Sequence, residues 1–168
     1  MKNLFIVVLL SICISATAQR QKVAVGNDGS MIVNGDTIAY IEKEGCKMLS
    51  QTCQFFITDE MDAVMITASM RSLIDKERPS PEFPEGVKVA YLIFSFQGTD
   101  ATAEVDCPGM TMNEAAVSKI VAKWRLIKDR RLDPDAVSQF VIHYGNRYSE
   151  KERRQNQPPA IQIIQEMH

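Results

Sequence analysis

Histidine is almost absent from this chain: His143 and His168 are the only two among 168 residues. Mechanisms that turn on an imidazole as base, acid or metal ligand therefore have few candidates. No nucleophile motif and no glycine-rich phosphate loop occurs, so hydrolase and nucleotide-binding signatures are missing as well. Neither sign of charge dominates, with 19 Lys+Arg against 21 Asp+Glu. That balance does not suggest a nucleic-acid binder. No repeat of solenoid or helix–turn–helix length is found. Beyond the first eighteen residues there is no long apolar run, so no transmembrane segment is expected in the rest of the chain.

What is present begins at the N-terminus. Met1-Lys2-Asn3 precedes an apolar run from Leu4 to Ile14, and Ser15-Ala16-Thr17-Ala18 follows. A positive charge, a short apolar core and small residues at Ala16-x-Ala18 make up the pattern of a secretory signal peptide, with cleavage expected between Ala18 and Gln19. The run is too short to serve as a membrane anchor. Cys13 follows Ile12 inside the run, which is not where a lipidated cysteine belongs. Residues 1–18 are thus read as a leader, 19–154 as one domain and 155–168 as a tail. The expected destination is the periplasm, the cell surface or the medium.

Cys46, Cys53 and Cys107 remain after cleavage, and an oxidising compartment favours pairing of close cysteines. Cys46 with Cys53 is the natural bridge, a local staple of about 2 to 3 kcal/mol in the chain-entropy account. Cys107 is then left over, as a buried thiol, an intermolecular bridge or a reactive or metal-binding group. Residues 19–110 hold 8 basic and 14 acidic side chains, and 111–168 hold 10 and 7. Either the two parts pack with complementary surfaces, or a basic face meets an anionic surface ligand or a protein.

From Lys22 to Asp106 short β-branched and aromatic runs alternate with turn dipeptides, as in an antiparallel meander. Asn27-Asp28-Gly29 is one turn. Asn34-Gly35, between Met31-Ile32-Val33 and Thr37 to Glu42, is a type I′ hairpin signal. In the return strand, one side carries Ile38, Tyr40 and Glu42 and the other Thr37, Ala39 and Ile41, so the buried side is only partly decided. Gln54 to Thr58 and Ala63 to Ala68 form a hairpin across Asp59-Glu60-Met61-Asp62. Arg71 to Gly86, with Pro79, Pro81 and Pro84, is expected to be a surface loop. Val87 to Phe96 is expected as the central strand under the helices, and Ala101 to Asp106 follows it.

After Cys107-Pro108-Gly109 the period changes to 3.6. Thr111-Met112-Asn113-Glu114 fits a capping box, and Val117, Ile120, Val121 and Trp124 form one stripe. Asp133-Pro134 opens a second helix with stripe Val137, Phe140, Val141 and Tyr144, ended by Gly145-Asn146. Arg147 to Arg154 is a charged segment, and Ile161-x-Ile163-Ile164 a short apolar end. The expected fold class is α+β: six or seven antiparallel strands in a meander, with two C-terminal helices packed on one face.

Three constellations carry possible chemistry. Cys107-x-x-Met110-x-Met112 places soft sulfur ligands within six residues, as copper(I) handling needs. Cys107 with His143 would make a thiol nucleophile, oriented by Asp106 or Asn113. Asp59, Glu60 and Asp62 miss the calcium-loop pattern and coincide with a turn. Arg125, Lys128, Arg130 and Arg131, near the helix junction, have the charge of a helix-turn-helix, but an exported chain has no DNA target. The stretches Asn34-Gly35-Asp36-Thr37-Ile38-Ala39-Tyr40-Ile41, Leu126 to Asp129 and Phe140 to Gly145 resemble small exported proteins of Bacteroidota, which have no assigned activity. The resemblance implies a compartment and an architecture and brings no catalytic residues. The resulting expectation is a non-enzymatic binding or interaction module needing no cofactor, with Cys107-centred copper handling or thiol catalysis as the alternative.

Overall fold

The computed structural model describes residues 21–46, 53–107 and 112–157. Seven strands follow one another in an antiparallel meander that curves into a half-barrel: β1 (Val23–Val25), β2 (Ser30–Val33), β3 (Asp36–Glu44), β4 (Gln54–Thr58), β5 (Val64–Asp75), β6 (Val87–Phe96) and β7 (Thr102–Asp106). Three helices come after: α1 (Glu114–Lys123), α2 (Pro134–Tyr144) and α3 (Arg147–Asn156). A hairpin, β8 (Ile127–Lys128) with β9 (Arg131–Leu132), joins α1 to α2. No helix among the described residues is long and apolar enough to cross a membrane.

The turns explain the meander. Asn34 and Gly35 both take positive φ, as a type I′ hairpin demands. Two bulges then decide which side chains go inside. Met31 pairs with Ala39 and Ile32 with Thr37, so Ile38 is the extra residue of β3. Ala39 and Ile41 are buried as a result, which settles the side that the alternation alone left open. Met65 is the extra residue in β5, opposite Ile57 and Thr58 of β4.

Strand β5 differs from the sequence reading. Arg71 to Asp75, expected in a loop, continues the strand and pairs residue for residue with Tyr91 to Val87. The three prolines lie beyond the strand's end and therefore interrupt nothing. The loop that remains, from Lys76, returns tightly. A Cβ on Gly86, at φ +116°, would stand 2.4 Å from the Asp75 carbonyl oxygen, so only glycine closes this approach. Strand β6 is also one in from the sheet's edge, and β4 is the middle strand.

One face of the sheet is the core. Phe55, Ile57, Ile66, Leu92, Phe94 and Val105 lie on it and are buried under α1 and α2 through Val117, Val121, Val137 and Phe140. Phe140 meets Phe94 and Phe96 edge-on at 5.2 and 5.9 Å. Burying each such side chain contributes about 2 to 3 kcal/mol. The cap of α1 is Asn113, whose side chain accepts from the Ala116 N–H at 2.9 Å. This corrects the expected capping box: asparagine is among the strongest caps, and Glu114 is drawn to the Lys43 ammonium at 2.7 Å rather than back to the turn. Thr111 lies outside the described residues. Asp133 and Pro134 open α2 as expected, the Asp133 carboxylate accepting from Asp135 and Ala136.

The charged segment after Gly145 is helix α3, which the sequence reading did not give. It packs on the opposite face of the sheet. Gly145, at φ +56°, ends α2, and its carbonyl accepts from the Glu104 N–H at β7 as the chain passes the sheet's edge. The residues that α3 turns inward are Tyr148, Lys151 and Gln155. Tyr148 stacks on Tyr91 of β6 at 4.5 Å. Lys151 bridges Asp75 at 2.6 Å and Glu77 at 2.8 Å, and Arg147 pairs with Asp106. With Arg130 on Glu60, the cations of the C-terminal part find acids of the N-terminal part. The unequal charge halves thus pack as complementary surfaces.

Candidate functional site

A concavity lies where α2 meets the turn between β6 and β7. The α2 stripe, Val137, Phe140, Val141 and Tyr144, packs the helix on the core, while Gly98 takes φ +77° in the β6–β7 turn. Between them is a groove of about 460 Å³ lined by Phe96, Leu132, Pro134, Val137, Val141 and Ile142. Ile142 is 77 % exposed. It follows Val141 directly, so the helical period places it off the core stripe. The cost of leaving such a side chain in water is regained only when something apolar covers it.

Beside the groove stands an aromatic cluster. Trp124, at the C-cap of α1, meets Phe140 at 5.5 Å and Tyr144 at 5.6 Å, and the His143 ring lies 4.8 Å from Trp124 and 4.7 Å from Tyr144. The indole Nε1 of Trp124 is buried without a partner among the described residues. His143 is exposed in the last turn of α2, where the helix dipole favours a cation. Its surroundings are those of a stacking ring, with no hydrogen bond to Cys107.

Cys107 is half-buried just beyond the end of β7, its backbone N–H on the Ala90 carbonyl at 3.2 Å. Burial, aided by the negative Asp106 next to it, pushes the thiol up to about 11. A thiol so placed stays protonated at neutral pH and is a poor nucleophile. Met112 packs against the core. Met110 lies outside the described residues, so the sulfur triad cannot be assembled from them. No group of three or more His, Cys, Asp or Glu side chains among the described residues is placed to hold a metal ion. Cys46 and Cys53 are joined in a disulfide between β3 and β4.

The acidic tip behaves as a turn. The Asp59 carboxylate accepts from the Met61 N–H at 2.8 Å and the Ala63 N–H at 3.0 Å, and Glu60 faces Arg130. The basic residues near the helix junction lie at the β8–β9 hairpin, with Lys128 and Arg131 opposite each other. A β-hairpin between α1 and α2 is not the turn of a helix-turn-helix.

Sequence reasoning missed the groove and its residues Phe96, Leu132 and Ile142. A usable signal was there: Ile142 is an apolar residue beside, and outside, a complete helical stripe. Glu104 was missed too, since its alternation with Ala103 and Val105 places it on what looks like a solvated face. Comparison with protein-family models, curated proteins and solved structures finds no match to the chain.

Proposed function

We propose that this chain is an exported, non-enzymatic binding or interaction module; the resemblance to small exported Bacteroidota proteins supports the export, and the scarcity of histidine with no nucleophile motif or phosphate loop supports the binding role. Its docking face is the apolar groove between α2 and the β6–β7 turn. The observation that carries this reading is Ile142, 77 % exposed on the rim of a groove of about 460 Å³. Single exposed apolar residues are ordinary, but one that continues an apolar groove marks a surface that a partner covers. The thiol of Cys107, held protonated, gives no support to the alternative of copper handling or thiol catalysis.

The test is the native mass of the chain recovered from its own exported fraction, with thiols alkylated at harvest, beside an Ile142→Asp variant. The wild type is expected with a bound partner and the variant as bare monomer. A wild type and variant that both come back as the bare mature chain would sink the reading.

A further inference from the structure

Strand β5 is left with an uncovered edge. Its β4 partner reaches only to Gln54 opposite Ser69, and the last link on that side is the Met70 N–H to the Cys53 carbonyl at 2.8 Å. From there to Asp75 no described strand lies alongside β5 on the side away from β6. The even-numbered residues are those whose peptide groups point that way, so Ser72 and Ile74 present N–H groups to a flank that no described strand occupies. Such an edge is a template for another strand.

Next to the edge is a second groove, of about 380 Å³, lined by Ile74, Phe83, Pro84, Gly86 and Lys88 among others. Ile74 is 50 % and Phe83 54 % exposed. Helix α3 delivers the chain to this place. The Gln155 carboxamide, oriented by its partners, donates to the Ile74 carbonyl at 3.0 Å and accepts from the Lys76 N–H at 3.2 Å. It makes the two hydrogen bonds that a neighbouring strand would make there, and α3 ends one residue later.

We infer that the chain's own C-terminal segment, Pro158 to His168, docks in cis on this edge. Three features of the segment fit it to the site. Pro158-Pro159 has no N–H to continue a helix and favours extended backbone. Ile161 is four residues beyond Gln157, a reach of up to about 13 Å. Ile161 and Ile163 share one face of an extended chain, so one apolar face of the segment can meet both Ile74 and Phe83. Running antiparallel from Lys76 toward Met70, the segment takes up the Ser72 and Ile74 N–H groups that Gln155 leaves open and stops where Cys53 closes the edge. This site is separate from the α2 groove and does not depend on it.

The experiment uses the whole mature chain and an Ile161→Asp/Ile163→Asp variant of the same length. Backbone amide exchange is followed at Ser72 and Ile74 by NMR, with Phe94 and Val121 as references in the core. The expected result is exchange at Ser72 and Ile74 at least tenfold faster in the variant, shifted signals at Phe83 and Gly86, and unchanged references. Equal exchange in the two proteins would overturn the inference. Protection that grows with protein concentration would overturn it too, by assigning the edge to a second copy.

Discussion

The Glu104 carboxylate of β7 receives both the backbone N–H of Ser149, at 3.0 Å, and the Ser149 hydroxyl, across 45 residues of sequence. It accepts from the Tyr148 N–H as well, so a strand residue caps a helix. Asn146, at the N-cap position, turns its side-chain oxygen to the Thr102 hydroxyl at 2.9 Å and caps no N–H of the helix, so Glu104 supplies the acceptor and the negative charge that this helix end favours. Glu104 is 1 % exposed, which leaves water no room to replace it.

Replacing Glu104 by alanine orphans these donors at the start of α3. The expected cost is about 2 to 3 kcal/mol, the penalty for buried polar groups left unpaired. A urea titration checks this through a lower midpoint at unchanged slope. A change within experimental error would show that α3 is held without its cap.

The pH dependence of α3 docking follows from Asp75 and Lys151. The hydrogen bond from Lys151 holds the Asp75 carboxyl below its ordinary 3.8, and Asp75, with Glu77, holds the Lys151 ammonium above 10.5. A depressed acid contributes stability above its unfolded value and loses it as pH falls through the folded one. A raised base contributes below its unfolded value and loses it as pH rises through the folded one. Amide protection of α3 should therefore hold between about pH 4 and 10 and decline on both sides. Burial also holds the Tyr91 hydroxyl above its ordinary 10.0, so Lys151→Met should lessen the alkaline decline and leave a part to Tyr91, and an unchanged decline would show that Lys151 contributes none of it.

For Cys107, a thiol near 11 leaves about one molecule in a thousand as thiolate at pH 8. Alkylation by iodoacetamide in the native state should be on the order of a hundredfold slower than for a free cysteine, and should become fast on unfolding. A native rate matching that of a free thiol would reopen Cys107 as a reactive group.

In the β8–β9 hairpin, Asp129 and Arg130 sit at φ +50° and +60°, a region that costs a side chain about 1 kcal/mol. Asp129→Asn with Arg130→Gly supplies the preferred type I′ pair. The loss of the exposed Arg130–Glu60 ion pair offsets little. A gain of about 1 kcal/mol, or about 2 to 4 °C in the melting temperature, is expected by calorimetry. A lower melting temperature would mean that the ion pair outweighs the backbone.

The legible parts of the fold were those written in short-range chemistry. Asn34-Gly35 allowed one tight turn, Asp133-Pro134 allowed one helix start, and Val117 to Trp124 could bury only one side of a helix. Proline misled the reading of Arg71 to Asp75, because a strand's end is set by its partner strand as well as by the nearest breaker. The candidate site was legible only in its stripe. Cys107 and His143, drawn together from residue type, are not joined by any hydrogen bond in the fold, while the groove depends on Phe96, Leu132 and Ile142, three residues that only chain crossing brings together.

The sequence by itself determined the meander, the α1 and α2 stripes and the Cys46–Cys53 staple, since each rests on residues a few positions apart whose backbone or side-chain geometry admits one solution. Only the tertiary structure decided α3 and its face. A helix reading Arg147 to Asn156 has no apolar stripe to announce it. Its partners Glu104, Tyr91 and Asp75 lie in three different strands, and they become one surface only after β5, β6 and β7 have paired.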